Sequence, residues 1–281
     1  MRSWRRALRV VDSTRAARVL MLGAVTGATA YGLGATPGRA GLAGLLGLLC
    51  SLGGFLLDDV LDRERDRVGG VTRNLVASGM LSPGAALGVA IGAFAVAAVA
   101  GAFLAPYSLL PMLGILALLI LPALGIAGGP VARAASLGAL QALYATIGGV
   151  FAGASGPALP LIAAFLFFAM TGGRVLGDVR DMPADLASRL PTIPIRYGMR
   201  FAGVFLVANE LVAYGCAVAA GVSGRLGYGY LVCVLLIAVA GTGINVIFVR
   251  DPTPCRADFA NRLSLGLLGG LYTLGMLLAG S

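Results

Sequence analysis

Long apolar runs dominate this sequence and restrict the folds that are open to it. Of its 281 residues, 58% are hydrophobic and only 12% are charged. A lipid bilayer has a hydrocarbon core about 30 Å thick, so a spanning helix needs about 20 apolar residues. Nine runs come near this length, at about 18–36, 40–57, 84–105, 108–125, 134–154, 158–176, 200–222, 227–249 and 263–280. The sequence therefore predicts an all-α integral membrane protein, a single domain over residues 1–281 with nine transmembrane helices in a bundle.

All 21 basic residues are arginine, and their distribution predicts the orientation of the chain. Every arginine except Arg39 and Arg225 precedes the first run or falls in a loop that would share its side. Cytoplasmic loops carry the excess of basic residues, so we expect a cytoplasmic N-terminus and an outside C-terminus. The net charge of +9 then reflects topology and attraction to anionic lipid headgroups, and we predict no nucleic-acid partner. We expect the protein in the plasma (inner) membrane of a prokaryote.

Two short segments hold eight of the twelve acidic residues. The first acidic segment, residues 55–70, is FLLDDVLDRERDRVGG, and the second, residues 172–198, is GGRVLGDVRDMPADLASRLPTIPIRYG. Each has three aspartates spaced i, i+3, i+7, which are Asp59, Asp62 and Asp66 in the first and Asp178, Asp181 and Asp185 in the second. This spacing places each trio on one face of a helix. The repetition indicates two pseudo-repeats, about 18–125 and 134–250, followed by a last helix at about 263–280.

The spacing of these acids indicates a metal site. Asp62 and Asp66 are like charges at i, i+4, which destabilise a helix unless a cation lies between them. Ion pairs on a solvated helix end are the simpler interpretation, since Asp59 and Arg63 have the right spacing, but they leave the repulsion within each trio unexplained. Carboxylates converging from two helices suit Mg²⁺, which completes its shell with water and phosphate oxygens. Histidine is absent, so histidine-based metal sites are excluded, and the lack of a CxxC pair favours apolar packing over metal binding for the four cysteines.

With these residues in place, the sequence resembles the UbiA-type superfamily of intramembrane prenyltransferases. The family motif N-D-x-x-D-x-x-x-D is matched by Asp58, Asp59, Asp62 and Asp66, with aspartate in the asparagine position, and D-x-x-D-x-x-x-D is matched by Asp178, Asp181 and Asp185. Downstream, RNLVASGMLS (73–82) and RLPTIPIRYG (189–198) are similar to the patterns that follow these motifs in the family. In the second of these, Arg189 stands where the family usually has glycine.

The resemblance implies a central cavity capped by cytoplasmic loops and an active site facing the cytoplasm. It implies that Mg²⁺ ions, held by the seven motif aspartates, bind a polyprenyl diphosphate, with Asp59, Asp62, Asp178 and Asp181 as catalytic residues. Departure of diphosphate would leave an allylic carbocation that an acceptor captures. Guanidinium groups clamp phosphates in bidentate fashion. The candidate diphosphate ligands on the same side are Arg73, Arg174, Arg180, Arg189 and Arg196.

The acceptor is left open between a lipid-soluble and an aromatic molecule. Glu210 is the one acid deep within a predicted span, and an intramembrane carboxylate is a functional-site hypothesis by default. Asn209, Tyr144 and Gln141 are further acceptor or cavity candidates. The loop after the fourth span lacks the Tyr and Lys that many aromatic-substrate members carry there, leaving Arg133 alone. This departure puts an aromatic acid acceptor in doubt.

Three other functions compete with prenyl transfer. A UbiA-type terpene cyclase would capture the cation within the same molecule, without an external acceptor. A CDP-alcohol phosphotransferase would need D-G-x-x-A-R before its acids, which neither segment has. A divalent-cation transporter would place acids nearer the middle of the membrane. The sequence predicts neither the length of the donor chain nor the oligomeric state.

Overall fold

All regular secondary structure in the described part of the chain is helical. The computed structural model describes residues 14–70, 74–124, 126, 128–223 and 226–281. In chain order the helices are α1 Thr14–Gly32, α2 Pro37–Leu61, α3 Arg63–Val68, α4 Pro83–Leu104, α5 Leu109–Ala123, α6 Pro130–Ala152, α7 Ala158–Ala187, α8 Ile193–Ser223, α9 Gly227–Arg250, α10 Pro254–Leu263 and α11 Gly269–Gly280. A short 3₁₀ turn, Pro106–Ser108, precedes α5, and a π-helical turn, Ser264–Leu268, joins α10 to α11.

Several helices begin with the same local signal. Thr36, Ser82 and Thr253 each accept a hydrogen bond from a backbone N–H of the first turn, and a proline follows each of them directly. The hydroxyl satisfies a donor that the helix leaves open, and proline loses nothing there because its position needs no N–H. These caps set the starts of α2, α4 and α10 from local sequence alone.

Seven helices in the described residues are long and apolar enough to cross a membrane. They are Pro37–Leu61, Pro83–Leu104, Pro130–Ala152, Ala158–Ala187, Ile193–Ser223, Gly227–Arg250 and Pro254–Gly280, with Pro106–Pro122 as a shorter apolar segment. Many large apolar side chains on them face outward, among them Phe103, Val239 and Tyr228. The protein is therefore an integral membrane protein. The predicted count of nine crossings goes beyond these seven.

Glycine lets the helices that carry the second acidic segment pack backbone against backbone. A methyl group at Gly138 of α6 would lie 2.3 Å from the carbonyl oxygen of Phe167 on α7. One at Gly172 of α7 would lie 3.0 Å from the carbonyl oxygen of Leu206 on α8. Small residues at such crossings allow the close approach that stabilises helix pairs in membranes. Helix α7 is therefore held firmly between α6 and α8.

The two acidic segments differ in backbone structure, contrary to the expectation of one helix face for each trio. Helix α2 ends at Leu61, and Asp62 has φ −89° and ψ 1° before the short helix α3 begins. The first trio is thus divided between two helices. The second trio lies within the single helix α7, as predicted. Arginines beside the acidic residues of α3 reduce the repulsion between those acids. The interruption of the helix at Asp62 therefore costs little.

Two positive φ angles shape the chain after α7. Arg189 has φ 54° directly after the helix, and the N–H of Leu190 donates to the carbonyl of Asp185 across the turn, at 2.8 Å. This is the left-handed conformation that closes many helices and that glycine usually adopts. Gly198 has φ 83° and ψ 163°, which bends α8 near its start. That region of conformational space is open essentially to glycine alone.

Candidate active site

The first acidic segment is tied to the loop that follows it by two of its aspartates. Asp59 is 1% exposed, and its Oδ2 accepts a hydrogen bond from the N–H of Leu75 at 2.9 Å. The amide nitrogen of Asn74 donates to the backbone carbonyl of Asp59 at 3.1 Å and to Oδ2 of Asp66 at 2.9 Å. These two aspartates therefore hold residues 74–77 against the end of α2.

Asn74 is the centre of this arrangement. It is fully buried, and its Oδ1 accepts hydrogen bonds from the N–H groups of Val76 at 2.9 Å and Ala77 at 2.8 Å. One side chain thus pairs two donors and two acceptors that would otherwise be buried without partners. Such unpaired groups cost about 1–3 kcal/mol each.

Replacing Asn74 by alanine should therefore lower the free energy of unfolding by about 2–4 kcal/mol. Thermal unfolding of the purified protein in detergent measures the loss. Ser78→Ala is the matched control, because its hydroxyl makes one exposed hydrogen bond in the same loop. An equal, small change in both variants would show that the Asn74 network does not stabilise the loop.

Asp58 and Asp62 form the half-buried side of the first acidic segment. Arg65 forms an ion pair with Asp62 and lies 3.5 Å from Oδ1 of Asp66. Burial and the charge of Asp58 raise the pKa of Asp62 to about 6; Arg65 opposes this shift and Asp66 adds to it. A raised pKa means that the negative charge is unfavourable there, so a divalent cation would relieve the repulsion between these carboxylates.

The second acidic segment pairs arginines with two of its aspartates. Nε of Arg174 donates to Oδ1 of Asp178 at 2.7 Å, and Asp178 is buried. Arg180 makes a bidentate contact with Asp181, at 2.9 Å and 2.8 Å. Asp185 is also buried, and its Oδ2 has no hydrogen-bond partner among the described residues. Burial without a partner is unfavourable for a carboxylate, so a cation near Asp185 would stabilise it.

The fold brings the two acidic segments together. A methyl group at Gly69 would lie 3.1 Å from the side chain of Ala184, so the end of α3 packs on α7. Arg133, at the start of α6, interacts electrostatically with Arg65 from the first segment and with Asp178 and Asp185 from the second. The start of α6 therefore lies near both segments.

A cavity of about 220 Å³, which we call the polar cavity, is lined by residues from both acidic segments. Its polar lining comprises Arg18, Ser51, Asp58, Gln141, Tyr144, Arg174, Arg180 and Asn261. It adjoins a second cavity of about 90 Å³, the apolar lobe, whose walls include Phe165, Leu166, Ile237 and Tyr272. Met21, Gln141 and Met170 line both, so a charged head and an apolar tail could occupy them together.

Glu210 lines the apolar lobe but is engaged by its own protein. Its Oε2 accepts hydrogen bonds from Tyr214, at 2.9 Å, and from Asn245 on the neighbouring helix α9. These contacts fit hydrogen bonding between helices α8 and α9 better than a role at the acceptor. The Asn209 amide donates to the carbonyl of Phe205 one turn earlier, at 2.8 Å, and is absent from the lining of both cavities.

The predicted arginines separate into groups. Arg174 and Arg180 line the polar cavity, together with Tyr144 and Gln141. Arg189 and Arg196 are exposed and do not line it. Arg73, predicted as a diphosphate ligand, lies outside the described residues. Of the four predicted arginines that the structure describes, two therefore line the polar cavity.

The donor set fits magnesium, although it is not a preformed cage. Among the residues that the structure describes, no three acidic or thiol side chains lie close enough together to enclose an ion. Asp58 lines the polar cavity, and the carboxylates of Asp62 and Asp185 supply further hard oxygen atoms in the same two acidic segments. Mg²⁺ keeps several waters and binds through one or two carboxylates plus substrate phosphates, so a loose set of this kind suits it.

Three site residues could not be singled out from the sequence. Asn74 lies in a polar loop where asparagine is ordinary. Arg18 is one of many arginines that orient the chain, and Asn261 lies between ordinary loop and span residues. No local pattern marks any of the three, because their roles depend on contacts made only in the folded chain.

Comparisons with known proteins agree with this geometry. The sequence model of the UbiA prenyltransferase family matches residues 19–266. A digeranylgeranylglyceryl phosphate synthase of Halobacterium salinarum is 31% identical over 240 residues, which cover 80% of this chain and 82% of that protein. The apo structure of a UbiA homologue from Aeropyrum pernix superposes with a TM-score of 0.75 at 19% identity, covering 92% of this chain and 96% of the other.

A second solved structure belongs to the same group. It is a UbiA homologue from Archaeoglobus fulgidus bound to GPP and Mg²⁺, with a TM-score of 0.66 at 16% identity over 94% of this chain and 99% of the other. At such low identity this likeness concerns the fold. The family match covers most of the chain, and the Halobacterium relative is similar over nearly the same extent. With its all-helical membrane fold and two aspartate motifs, the chain belongs to the UbiA prenyltransferase family and is a prenyltransferase.

Proposed function

We propose that this protein transfers a polyprenyl group from a polyprenyl diphosphate to the hydroxyl of a phosphate-bearing glycerol lipid, with Mg²⁺ as cofactor. The polar cavity supports the proposal most directly. It is lined by Asp58 from the first acidic segment and by Arg174 and Arg180 from the second. A cavity with acids, arginines and an apolar extension suits a diphosphate with an isoprenoid tail.

The acceptor class is supported by the relatives. The name of the Halobacterium protein describes a glyceryl phosphate carrying two geranylgeranyl groups. We extend that class of acceptor to this chain, in which the connection from α5 into the first turn of α6 offers Arg133 and no lysine or tyrosine for an aromatic acid. A hydroxyl of the glycerol unit would then receive the prenyl group.

Each residue class has a distinct task in this reaction. The seven motif aspartates would hold the metal, and of these Asp58 lines the polar cavity. Bound there, Mg²⁺ would supply charge neutralisation to the leaving diphosphate. Arg174 would add a guanidinium at the same place, where charge develops as the carbon–oxygen bond breaks.

The apolar lobe would protect the reaction from water. As the diphosphate leaves, the prenyl carbon becomes an allylic carbocation that water would capture. Phe165, Leu166 and Tyr272 enclose the adjoining space and would keep solvent from it. The acceptor hydroxyl oxygen then forms the new carbon–oxygen bond and releases its proton, which gives an ether and free diphosphate.

The arrangement in the membrane is part of the proposal. Helix α1 and the short Pro106–Pro122 segment would complete nine crossings with the seven long apolar helices. The distribution of arginine supports a cytoplasmic N-terminus, an outside C-terminus and an active site that faces the cytoplasm. The two matching acid spacings support an origin as two pseudo-repeats.

A direct assay tests this function. Purified protein with geranylgeranyl diphosphate, Mg²⁺ and a glyceryl phosphate bearing one geranylgeranyl group should release diphosphate and ether product in equal amounts, measured by mass spectrometry. EDTA should stop both, and excess Mg²⁺ should restore them. Omitting the acceptor should stop product formation. Steady release of a cyclic hydrocarbon or alcohol without acceptor would instead identify a cyclase and contradict the transfer.

A further inference from the structure

The apolar lobe extends away from the second acidic segment and ends at two aromatic rings. Helix α7 lines it from Leu176 back to Phe165, and α11 lines it as far as Tyr272. The rings of Phe165 and Tyr272 pack against each other with their centroids 5.9 Å apart, and both are buried. On α7, Phe165 is the lining residue that lies farthest from Asp178. We call these two rings the aromatic pair.

A hydrogen bond with a defined direction holds one ring of the aromatic pair in place. Oγ1 of Thr29 donates to the backbone carbonyl of Val25 at 2.7 Å. A hydroxyl has a single proton to donate, so in the contact of 2.7 Å between Thr29 and Tyr272 the tyrosine is the donor. Both groups are buried, where a phenol without a partner would be unfavourable. The bond therefore fixes the Tyr272 ring across the end of the lobe.

The helices behind the aromatic pair are closely packed. A methyl group at Gly148 of α6 would lie 3.0 Å from Cβ of Thr29 on α1. One at Gly32 of α1 would lie 2.7 Å from the backbone carbonyl oxygen of Met276 on α11. Met276 follows Tyr272 by one turn, is fully buried and does not line the apolar lobe. The packing of α1, α6 and α11 therefore closes the lobe at this end.

The distance from the acidic segment to the aromatic pair sets a length for the lobe. Phe165 precedes Asp178 by 13 residues of the same helix, which is about 20 Å along its axis. Each isoprene unit adds four carbon–carbon bonds to a prenyl chain, which at about 1.5 Å each extend a zigzag chain by about 5 Å. A chain that starts at a diphosphate near Asp178 would therefore reach the aromatic pair with about four units.

We propose that Phe165 and Tyr272 limit the prenyl donor to about four isoprene units by closing the far end of the apolar lobe. The inference rests on the proposed function and deepens it, because it names the length of the donor chain. A fifth unit would find the aromatic pair in its place. Thr29 is a positioning residue, since it acts through the ring of Tyr272.

A series of donors measures this limit. The donors are geranyl, farnesyl, geranylgeranyl and geranylfarnesyl diphosphate, which carry two, three, four and five isoprene units, each with Mg²⁺ and the glyceryl phosphate acceptor. For the wild-type protein, kcat/KM should be highest for the four-unit donor and at least about 10-fold lower for the five-unit donor. One surplus methylene in a closed apolar pocket already costs about 10-fold, and a fifth unit adds more.

Variants of Tyr272 test whether the ring sets the limit. Tyr272→Ala removes the ring and should raise the ratio of kcat/KM for the five-unit donor to that for the four-unit donor about 10-fold or more. Tyr272→Phe keeps the ring and loses its hydrogen bond, so it should keep the wild-type order of donors. Tyr228→Ala is the matched control, because Tyr228 is 90% exposed on α9. It should also keep that order.

Two further variants cover the case in which Tyr272→Ala folds poorly. Phe165→Leu shortens the other side chain of the pair and should raise the same ratio. Ala169 lines the lobe one turn nearer to Asp178, so Ala169→Leu should act in the opposite direction. It should lower the ratio of kcat/KM for the four-unit donor to that for the two-unit donor about 10-fold. A purely structural role would change the rates with all donors alike.

The outcomes separate the two proposals. If the wild-type protein forms no ether with any donor, the proposed function fails and this inference fails with it. If the four-unit and five-unit donors react with equal kcat/KM, the proposed function stands and the length limit is wrong. An unchanged order of donors in both Tyr272→Ala and Phe165→Leu would also overturn the role of the aromatic pair.

Discussion

Replacing Asp62 by asparagine is expected to lower kcat/KM about 10²- to 10³-fold, the usual size of losing one stabilising group at the reacting centre. Asparagine keeps the size of the side chain and removes the charge. The carboxylate stands half-buried beside Asp58, where burial and like charge raise its pKa to about 6. In the Asp62→Asn variant, a metal ion bound between these carboxylates would lose the Asp62 carboxylate as a ligand. Steady-state kinetics at saturating Mg²⁺, together with a Mg²⁺ titration, measures both effects.

Glu64→Gln is the matched control for this experiment. Glu64 lies in the same segment, is 68% exposed at its side chain, and contacts Arg63 on the surface. Its activity should equal that of the wild type. If Asp62→Asn keeps more than half of the wild-type kcat/KM at low Mg²⁺, Asp62 is not a metal ligand.

Arg174→Gln should lower kcat/KM for the prenyl diphosphate about 10²-fold, mostly through a higher KM for the donor. Two effects combine in this variant. The cavity loses a guanidinium beside the predicted metal site, and Asp178, whose side chain is 4% exposed, loses its ion-pair partner. A buried charge without its partner is costly, so the protein should also melt at a lower temperature.

A double variant separates binding from stability. Adding Asp178→Asn to Arg174→Gln removes the unpaired charge, so the melting temperature should recover. Because Asp178 is itself a predicted metal ligand, the reference for activity is the single variant Asp178→Asn, and the double variant should be less active than that reference. Arg63→Gln serves as the control, since its contact with Glu64 is solvent-exposed. Equal activity in the double variant and in Asp178→Asn would mean that Arg174 supports the fold and does not act on the donor.

Regular spacing made much of this protein predictable from its sequence. Apolar runs of bilayer length predicted the helices, and the repeated aspartate spacing predicted that two distant segments serve one site. In α7 the spacing was a sound guide, because Asp178, Asp181 and Asp185 lie on one uninterrupted helix. In the first segment the chain breaks at Asp62, since no spacing rule says where helix α2 must stop.

The remaining site residues depend on contacts between distant parts of the chain. Asn74 acts through Asp59 and Asp66, and its role exists only once the loop folds back on α2. Arg18 meets Asn261 through the closure of the whole bundle, from nearly opposite ends of the chain. Composition and periodicity describe one helix or loop at a time. They therefore do not predict contacts between residues that are far apart in the chain.

The left-handed turn at Arg189 has a consequence for the stability of the protein. A side chain there costs about 1–2 kcal/mol relative to glycine, which adopts the same backbone freely. Arg189→Gly is therefore a single substitution that should make the protein more stable by about that amount.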